Sequence, residues 1–231
     1  MLVCGRNVAK DLIQNRRTID KAILQDGFMD KELISLLENA KIPIEYASKR
    51  KIDDLDLGNH QGIILSIPDY SYYSLDSVMN EEVLLILDHI EDPHNFGAII
   101  RTCEAAGIHS IIIPGDRQVL VNATVMKTSV GTLDNVHIVK VSNINNAIEQ
   151  LQKNGFWIVG TSLEDRSIDY RKIDYSGKIV LVVGNEGKGI SELTAKKCDF
   201  LAKIPMYGTT NSLNVSVATG IMIYEIMRNR K

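Results

Sequence analysis

The chain is poor in the features that crosslink a protein, anchor it in a membrane or give it one dominant charge. Only three cysteines, Cys4, Cys103 and Cys198, occur in 231 residues, with no C-x-x-C pair. An odd, widely spaced set supports neither a disulfide framework nor a zinc site and fits a reducing compartment. No apolar run approaches the roughly 20 residues that cross a bilayer, and the chain opens without an apolar signal segment. A cytoplasmic protein with no membrane partner and no metal is therefore expected. Charge of one sign is also lacking: 26 Lys and Arg face 29 Asp and Glu, a net charge of −3. Nucleic-acid binding would then need a local patch. Arg16-Arg17 and Lys49-Arg50-Lys51 are candidates, although each reads more readily as a solvated face.

What is present is α/β periodicity in two series. From Gly5 to about Ile67, "NVAKDLIQN" and "DKELISLLENA" have helical spacing, and "IDKAILQ", "IPIEYAS" and "QGIILSI" read as strands. Pro68–Glu82, "PDYSYYSLDSVMNEE", is polar and tyrosine-rich without periodicity, which predicts a linker. From Val83 strands and helices alternate again: "VLLILDHI", "NFGAIIRTCEAAG" closed by Gly107, "SIIIPG", "NATVMKTSVGTL", "HIVKV", "NINNAIEQLQKNG", "FWIVGTS", "KIVLVVG", "SELTAKKC" and "FLAKIPM". A long apolar helix from about Leu213 ends the series. Strands apolar on both faces between helices predict a largely parallel sheet covered on both sides. The expected organisation is residues 1–67, a linker at 68–82 and a larger α/β domain at 83–231.

Ligands of open parallel sheets bind beyond the carboxyl ends of the strands, and three strand-ending stretches carry polar surplus. In "DHIEDPHNFGAIIRT", Pro93 reads as the strand stop and Asn95 as the helix N-cap, with Arg101 on the flank of Gly97. "VVGNEGKGI", Val182–Ile190, fits neither the G-x-x-x-x-G-K-[ST] of a phosphate loop nor the G-x-G-x-x-G of a dinucleotide site. A nucleotide-dependent kinase or oxidoreductase is disfavoured on that spacing. Alone, the loop is also compatible with a tight turn after a buried strand. In "IPMYGTTNSLNVSVATG", Thr209, Thr210, Asn211, Ser212 and Asn214 supply more capping groups than one helix needs, which points to a site.

The motifs N-F-G-A-I-I-R, G-N-E-G-K-G-I and I-P-M-x-G-x-x-x-S-L-N-V-S-V-A resemble, in order and spacing, the three motifs of the SpoU (TrmH) family. These are S-adenosylmethionine-dependent RNA ribose 2′-O-methyltransferases of the SPOUT class. The opening "GRNVAKDLI" and the later "HQGIILSI" are similar to the family's N-terminal RNA-binding domain, which has a ribosomal-protein-like α/β fold. That two-domain form resembles enzymes that methylate large-subunit ribosomal RNA.

The resemblance implies a C-terminal trefoil knot whose loops hold S-adenosylmethionine. Gly184, Ile204 and Leu213 match cofactor-contacting positions, and Glu186, Gly189, Met206 and Asn214 are placed with them. Arg101 matches the group thought to activate the ribose 2′-hydroxyl, either as base or as holder of phosphate and alkoxide charge. Asn95, Glu186, Ser212 and Asn214 match the other polar site positions. The resemblance also implies RNA, ribosomal RNA foremost, as substrate, and a homodimer. In the apolar final helix, Val215, Val217, Ile221, Ile223, Tyr224 and Met227 point in too many directions for one face to bury, and Ser216 and Gly220 would permit close helix approach. A tRNA ribose methyltransferase and a non-catalytic RNA-binding or ribosome-assembly protein of the same fold are the alternatives.

Overall fold

The computed structural model describes residues 1–164, 166–185, 187–228 and 230. By its contacts the chain divides into two units, Met1–Ser71 with Val121–Lys127, and Tyr72–Leu120 with Thr128–Lys231.

In the first unit the elements are β1 (Leu2–Cys4), α1 (Arg6–Gln14), β2 (Lys21–Gln25), α2 (Lys31–Asn39), β3 (Ile44–Ala47), α3 (Lys49–Asp53) and β4 (Ile63–Ser66). The sheet order is β1-β4-β2-β3, with β4 antiparallel to both neighbours and β2 parallel to β3. Ala9 and Leu12 of α1 and Leu33 and Leu37 of α2 are buried with Ala22, Leu24, Ile63 and Leu65 of the sheet. Helical spacing and strand alternation thus bury their apolar sets in one core. β1 and α3 went unrecognised in the sequence because three- and five-residue elements are too short to show a period.

The second unit runs β5 (Val83–Asp88), α4 (Pro93–Ala105), β6 (Ser110–Pro114), α5 (Ala123–Thr128, which groups mostly with the first unit), β7 (His137–Val141), α6 (Ile144–Lys153), β8 (Phe156–Thr161), β9 (Ile168–Asp169), β10 (Lys178–Gly184), α7 (Glu192–Lys197), β11 (Phe200–Lys203) and α8 (Val215–Arg228). Seven strands form one sheet in the order β7-β6-β5-β10-β8-β11-β9, every pairing parallel. Ile144, Ile148 and Leu151 of α6 and Ala195 of α7 share a core with Leu84, Ile86, Val180 and Val182. Leu85, Leu87, Leu181 and Val183 are equally buried and alternate with that set, so they face the other layer, where α8 meets both α4 and β10.

The stretch read as linker is ordered in its second half. The Tyr73 N–H donates to Ile138 O, and Leu75–Val78 forms a 3-10 turn with Val78 fully buried in the core of the sheet. The polar residues around Val78 hid this single anchor, because one buried side chain creates no period. A fragment beginning at Tyr72 is therefore expected to be more stable than one beginning at Glu81, by about 2 kcal/mol for the lost Val78 burial. Urea unfolding of the two fragments checks this, and equal midpoints would show that Val78 anchors nothing.

Candidate active site

β5 and β10 are neighbours whose last residues, Asp88 and Gly184, lie side by side. From β5 the chain runs in order to β6 and β7 on one side, while β8, β10 and β11 lie on the other. Such a reversal opens a crevice at the carboxyl ends of the strands. Two hydrogen bonds join the two exits: Ser191 N–H donates to Asp88 Oδ2 at 2.9 Å, and Asn185 Nδ2 donates to His89 O at 3.2 Å. The other Asp88 oxygen is bonded to His89 Nδ1, and His89 itself has a positive φ of 67°.

The first loop corrects the reading of Asn95. Asp92 is the N-cap of α4, accepting the His94 N–H at 2.9 Å, and Pro93 stands at the start of the helix rather than ending the strand. Proline is favoured there because its fixed φ suits the first helical turn and it lacks an N–H that would go unbonded. Asn95, one turn into the helix, is thereby released for another task. Its Oδ1 accepts Asn214 Nδ2 at 3.0 Å, which joins the first stretch to the third. Gly97 is glycine for a steric reason: a Cβ there would meet Thr128 Oγ1 at 1.8 Å. Arg101 is exposed and has no hydrogen-bond or ion-pair partner among the described residues.

The second loop folds back on itself. Gly189 N–H donates to Asn185 O at 2.8 Å, and Gly187 N–H to Asn185 Oδ1 at 2.9 Å. A Cβ on Gly184 would stand 2.1 Å from Gly189 C and 2.2 Å from Ile190 N, so only glycine permits this fold-back. Glu186 lies outside the described residues. In the third loop one residue does the capping. Asn214 Oδ1 accepts Ser216 N–H at 2.9 Å, Ser216 Oγ–H at 2.6 Å and Val217 N–H at 3.4 Å, so α8 begins at Val215. The surplus of polar groups is thus real, and Asn211 and Ser212 turn to a cavity.

That cavity, of about 470 Å³, lies between the second and third loops and the end of β8. Gly184, Gly189, Ile204, Met206, Ser212 and Leu213 all line it. Asn95, Asn214 and Arg101 do not; the first two are bonded together next to Leu213, and Arg101 stands further along α4. Sequence reasoning missed Ser162, Leu163 and Glu164, which follow β8 and line the same cavity. Only the strand order, with β8 beside β10, brings them there. A larger cavity of about 710 Å³ lies across the Asn185–Ile190 loop, bordered by Asp88, His89, Arg117 and Asn145. None of the six residues named for the smaller cavity except Gly189 reaches it.

Residues 82–224 match the model of the SpoU rRNA Methylase family, and residues 2–73 match that of the RNA 2′-O ribose methyltransferase substrate-binding domain. The chain belongs to the SpoU family. A Staphylococcus saprophyticus protein assigned to the TrmH family of tRNA/rRNA methyltransferases is 40% identical over 240 residues, covering 100% of this chain and 96% of the relative. An rRNA methyltransferase from Sinorhizobium meliloti, solved with AdoMet bound, is 26% identical at a TM-score of 0.77, covering 98% of this chain and 86% of that one. A TrmH/SpoU tRNA modifying enzyme from A. aeolicus is 37% identical at a TM-score of 0.60, covering 68% of this chain and 80% of its own. SpoU-family enzymes are S-adenosylmethionine-dependent RNA methyltransferases.

The smaller cavity suits that cofactor. Its volume falls in the ordinary range for small-ligand sites, with Ile190, Ile204, Met206 and Leu213 offering apolar contact for a purine. The glycine loop presents backbone groups, and Ser162, Glu164 and Ser212 offer partners for hydroxyl and amino groups. All three cysteines are free, and burial pushes the Cys198 thiol up to about 12. Gly184→Ala is expected to force the loop open at a strain of about 1–3 kcal/mol and weaken S-adenosylmethionine binding about tenfold or more, with the sheet intact. Calorimetric titration with circular dichroism as the fold control decides it; unchanged affinity would remove the loop from the cofactor site.

Proposed function

We propose that the enzyme transfers a methyl group from S-adenosylmethionine to a ribose 2′-hydroxyl in RNA, with a guanosine of large-subunit ribosomal RNA as target. The observation that carries this reading is that residues of the second and third motifs line one cavity, with the first motif tied to the third by the Asn95–Asn214 hydrogen bond. The substrate-binding match over residues 2–73 supports the ribose 2′-oxygen as acceptor. Methylation of a tRNA ribose is the second reading, favoured by the likeness to a tRNA modifying enzyme. A cytoplasmic location belongs to the same proposal; among the described residues no helix is long and apolar enough to cross a membrane.

The sulfonium of the bound cofactor supplies an activated methyl group, so the protein must align the acceptor oxygen and manage its proton. The Gly184–Ile190 loop, Ile204, Met206 and Leu213 would hold the cofactor. Arg101 is assigned the substrate. A guanidinium is a poor base, because its pKa lies above ~12, but its planar fork suits a backbone phosphate. Placed there, Arg101 also stabilises the alkoxide charge developing on the 2′-oxygen as the hydroxyl proton leaves to solvent water. Its exposure and lack of a described partner leave it available for that task. The Asn95–Asn214 pair fixes the start of α8 beside Leu213, while Ser212 supplies a hydroxyl to the cavity. Arg101→Ala should lower methyl transfer about a hundredfold or more while cofactor affinity is unchanged. A variant that methylates normally would remove Arg101 from the reaction. Cofactor binding without turnover by the native chain on ribosomal RNA or tRNA would instead favour the non-catalytic reading.

A homodimer through α8 is part of the proposal, on a revised set of residues. Val215, Met222 and Ile223 are buried within their own subunit, and Gly220 faces Thr102 of α4. Gly220 therefore serves the internal α4–α8 contact, and Ile223 is committed to the core of its own subunit. What remains outside is a stripe at helical spacing, Val217 (51% exposed), Ile221 and Tyr224 (56% exposed). Val217→Asp with Tyr224→Asp should give a folded monomer in sedimentation, whereas Ile223→Asp should unfold the subunit. A doubly substituted chain that still sediments as a dimer would place the interface elsewhere.

A further inference from the structure

The first unit carries a concavity of about 410 Å³ that the methyl-transfer chemistry does not use. Three of its lining glycines, Gly27, Gly58 and Gly62, have φ of +79°, +70° and +80°, so tight turns leave it unfilled by side chains. At its edge the Arg6 guanidinium lies over the Phe28 ring, 5.1 Å from the centroid. The guanidinium is held in that pose by Gln61 O, 3.4 Å from Nε, and by Asp30 Oδ2 at 3.7 Å. Gln61 has a positive φ of 53°, and its Oε1 accepts the Arg6 N–H at 2.8 Å. Nearly half of the Arg6 side chain remains exposed, and Met29 beside it is 85% exposed.

A fixed, planar cation with an aromatic ring beneath it, and a flexible apolar side chain beside it, is a stacking platform. A nucleobase has the π-face to match. In an A-form duplex those faces are covered by neighbouring bases, whereas unpaired loop bases can be splayed out onto such platforms. Phosphate contacts are available next to it. His60, in the wall, accepts the Gly62 N–H on Nδ1 and bonds Asp53 through Nε2 at 2.8 Å, which ties the concavity to α3. On α3, Lys49, Arg50 and Lys51 are exposed and have no ion-pair partner among the described residues.

We propose that this concavity is a binding site for one unpaired nucleobase of the RNA substrate, stacked on the Arg6–Phe28 platform, with α3 holding the flanking phosphates. The inference rests on the RNA reading above and adds where, and in which strandedness, the RNA is gripped.

Fluorescence anisotropy at fixed salt with the full chain tests it, using an unstructured twelve-nucleotide RNA and a fully paired RNA of the same length. The single strand should bind more tightly than the duplex, and Arg6→Ala should weaken it about tenfold or more. Arg6→Lys, which keeps charge but loses the plane, should not restore binding, and Lys51→Ala should reduce the salt slope by about one. A 4-thiouridine-bearing strand should photo-crosslink to Phe28 or Met29, and cofactor affinity should be unchanged in every variant. Native single-strand affinity in Arg6→Ala, full rescue by Arg6→Lys, or crosslinks only in the second unit would overturn the site. Failure of the native chain to bind or methylate any RNA would overturn the RNA reading, and this site with it.

Discussion

Everything at the carboxyl edge of the large sheet depends on how two adjacent strands end. β5 and β10 stop in register at Asp88 and Gly184. The chain leaving β10 must turn back at once, and the missing Cβ of Gly184 makes that possible. The buried Asp88 carboxylate then accepts the Ser191 N–H, which pins the far end of the loop to the neighbouring strand. A buried acceptor without that bond would cost on the order of 1–3 kcal/mol, so loop geometry and strand end are set together. The glycine-loop side of the cavity is thus fixed by backbone and a single carboxylate.

From this arrangement follows a division of labour. The sheet and its two helix layers are apolar on both faces and supply rigidity; the polar residues sit in loops, where their chemistry does not burden the core. Asn95 and Asn214 bridge α4 and α8 at one point, Gly220 faces Thr102 at another, and Gly97 makes room for Thr128. Arg101 projects outward from the same helix whose buried face, Phe96, Ile99, Ile100 and Cys103, locks it to the fold. Rigid mounting of an exposed cation is what the proposed recognition of a substrate phosphate by Arg101 would require.

Much of this was legible in the sequence because periodicity reports burial. The alternation of strands and helices, and the motifs that resemble the SpoU family, located the parallel sheet, the three loops and the candidate cofactor residues. Other features depend on strand order or single contacts. Ser162–Glu164 join the cavity because β8 pairs with β10, a fact that no local pattern carries. Val78 is one buried side chain in a polar stretch. Asn95 and Asp92 are both good caps, and only Pro93 between them discriminates, by favouring the first helical position. The partner of Gly220 could not be read, because a small residue signals close approach without saying to what; its neighbour is Thr102 of the same chain.

The central claim is that the acceptor is a ribose 2′-oxygen lying against a cofactor held by the Gly184–Leu213 loops. Methylation at that oxygen removes the nucleophile that alkali uses to cleave the adjacent phosphodiester, so the product carries its own signature. The direct measurement incubates the purified chain with methyl-labelled S-adenosylmethionine and ribosomal RNA, then hydrolyses the RNA in alkali. The account predicts label in alkali-resistant dinucleotides, and label confined to ordinary mononucleotides would show base methylation and contradict it.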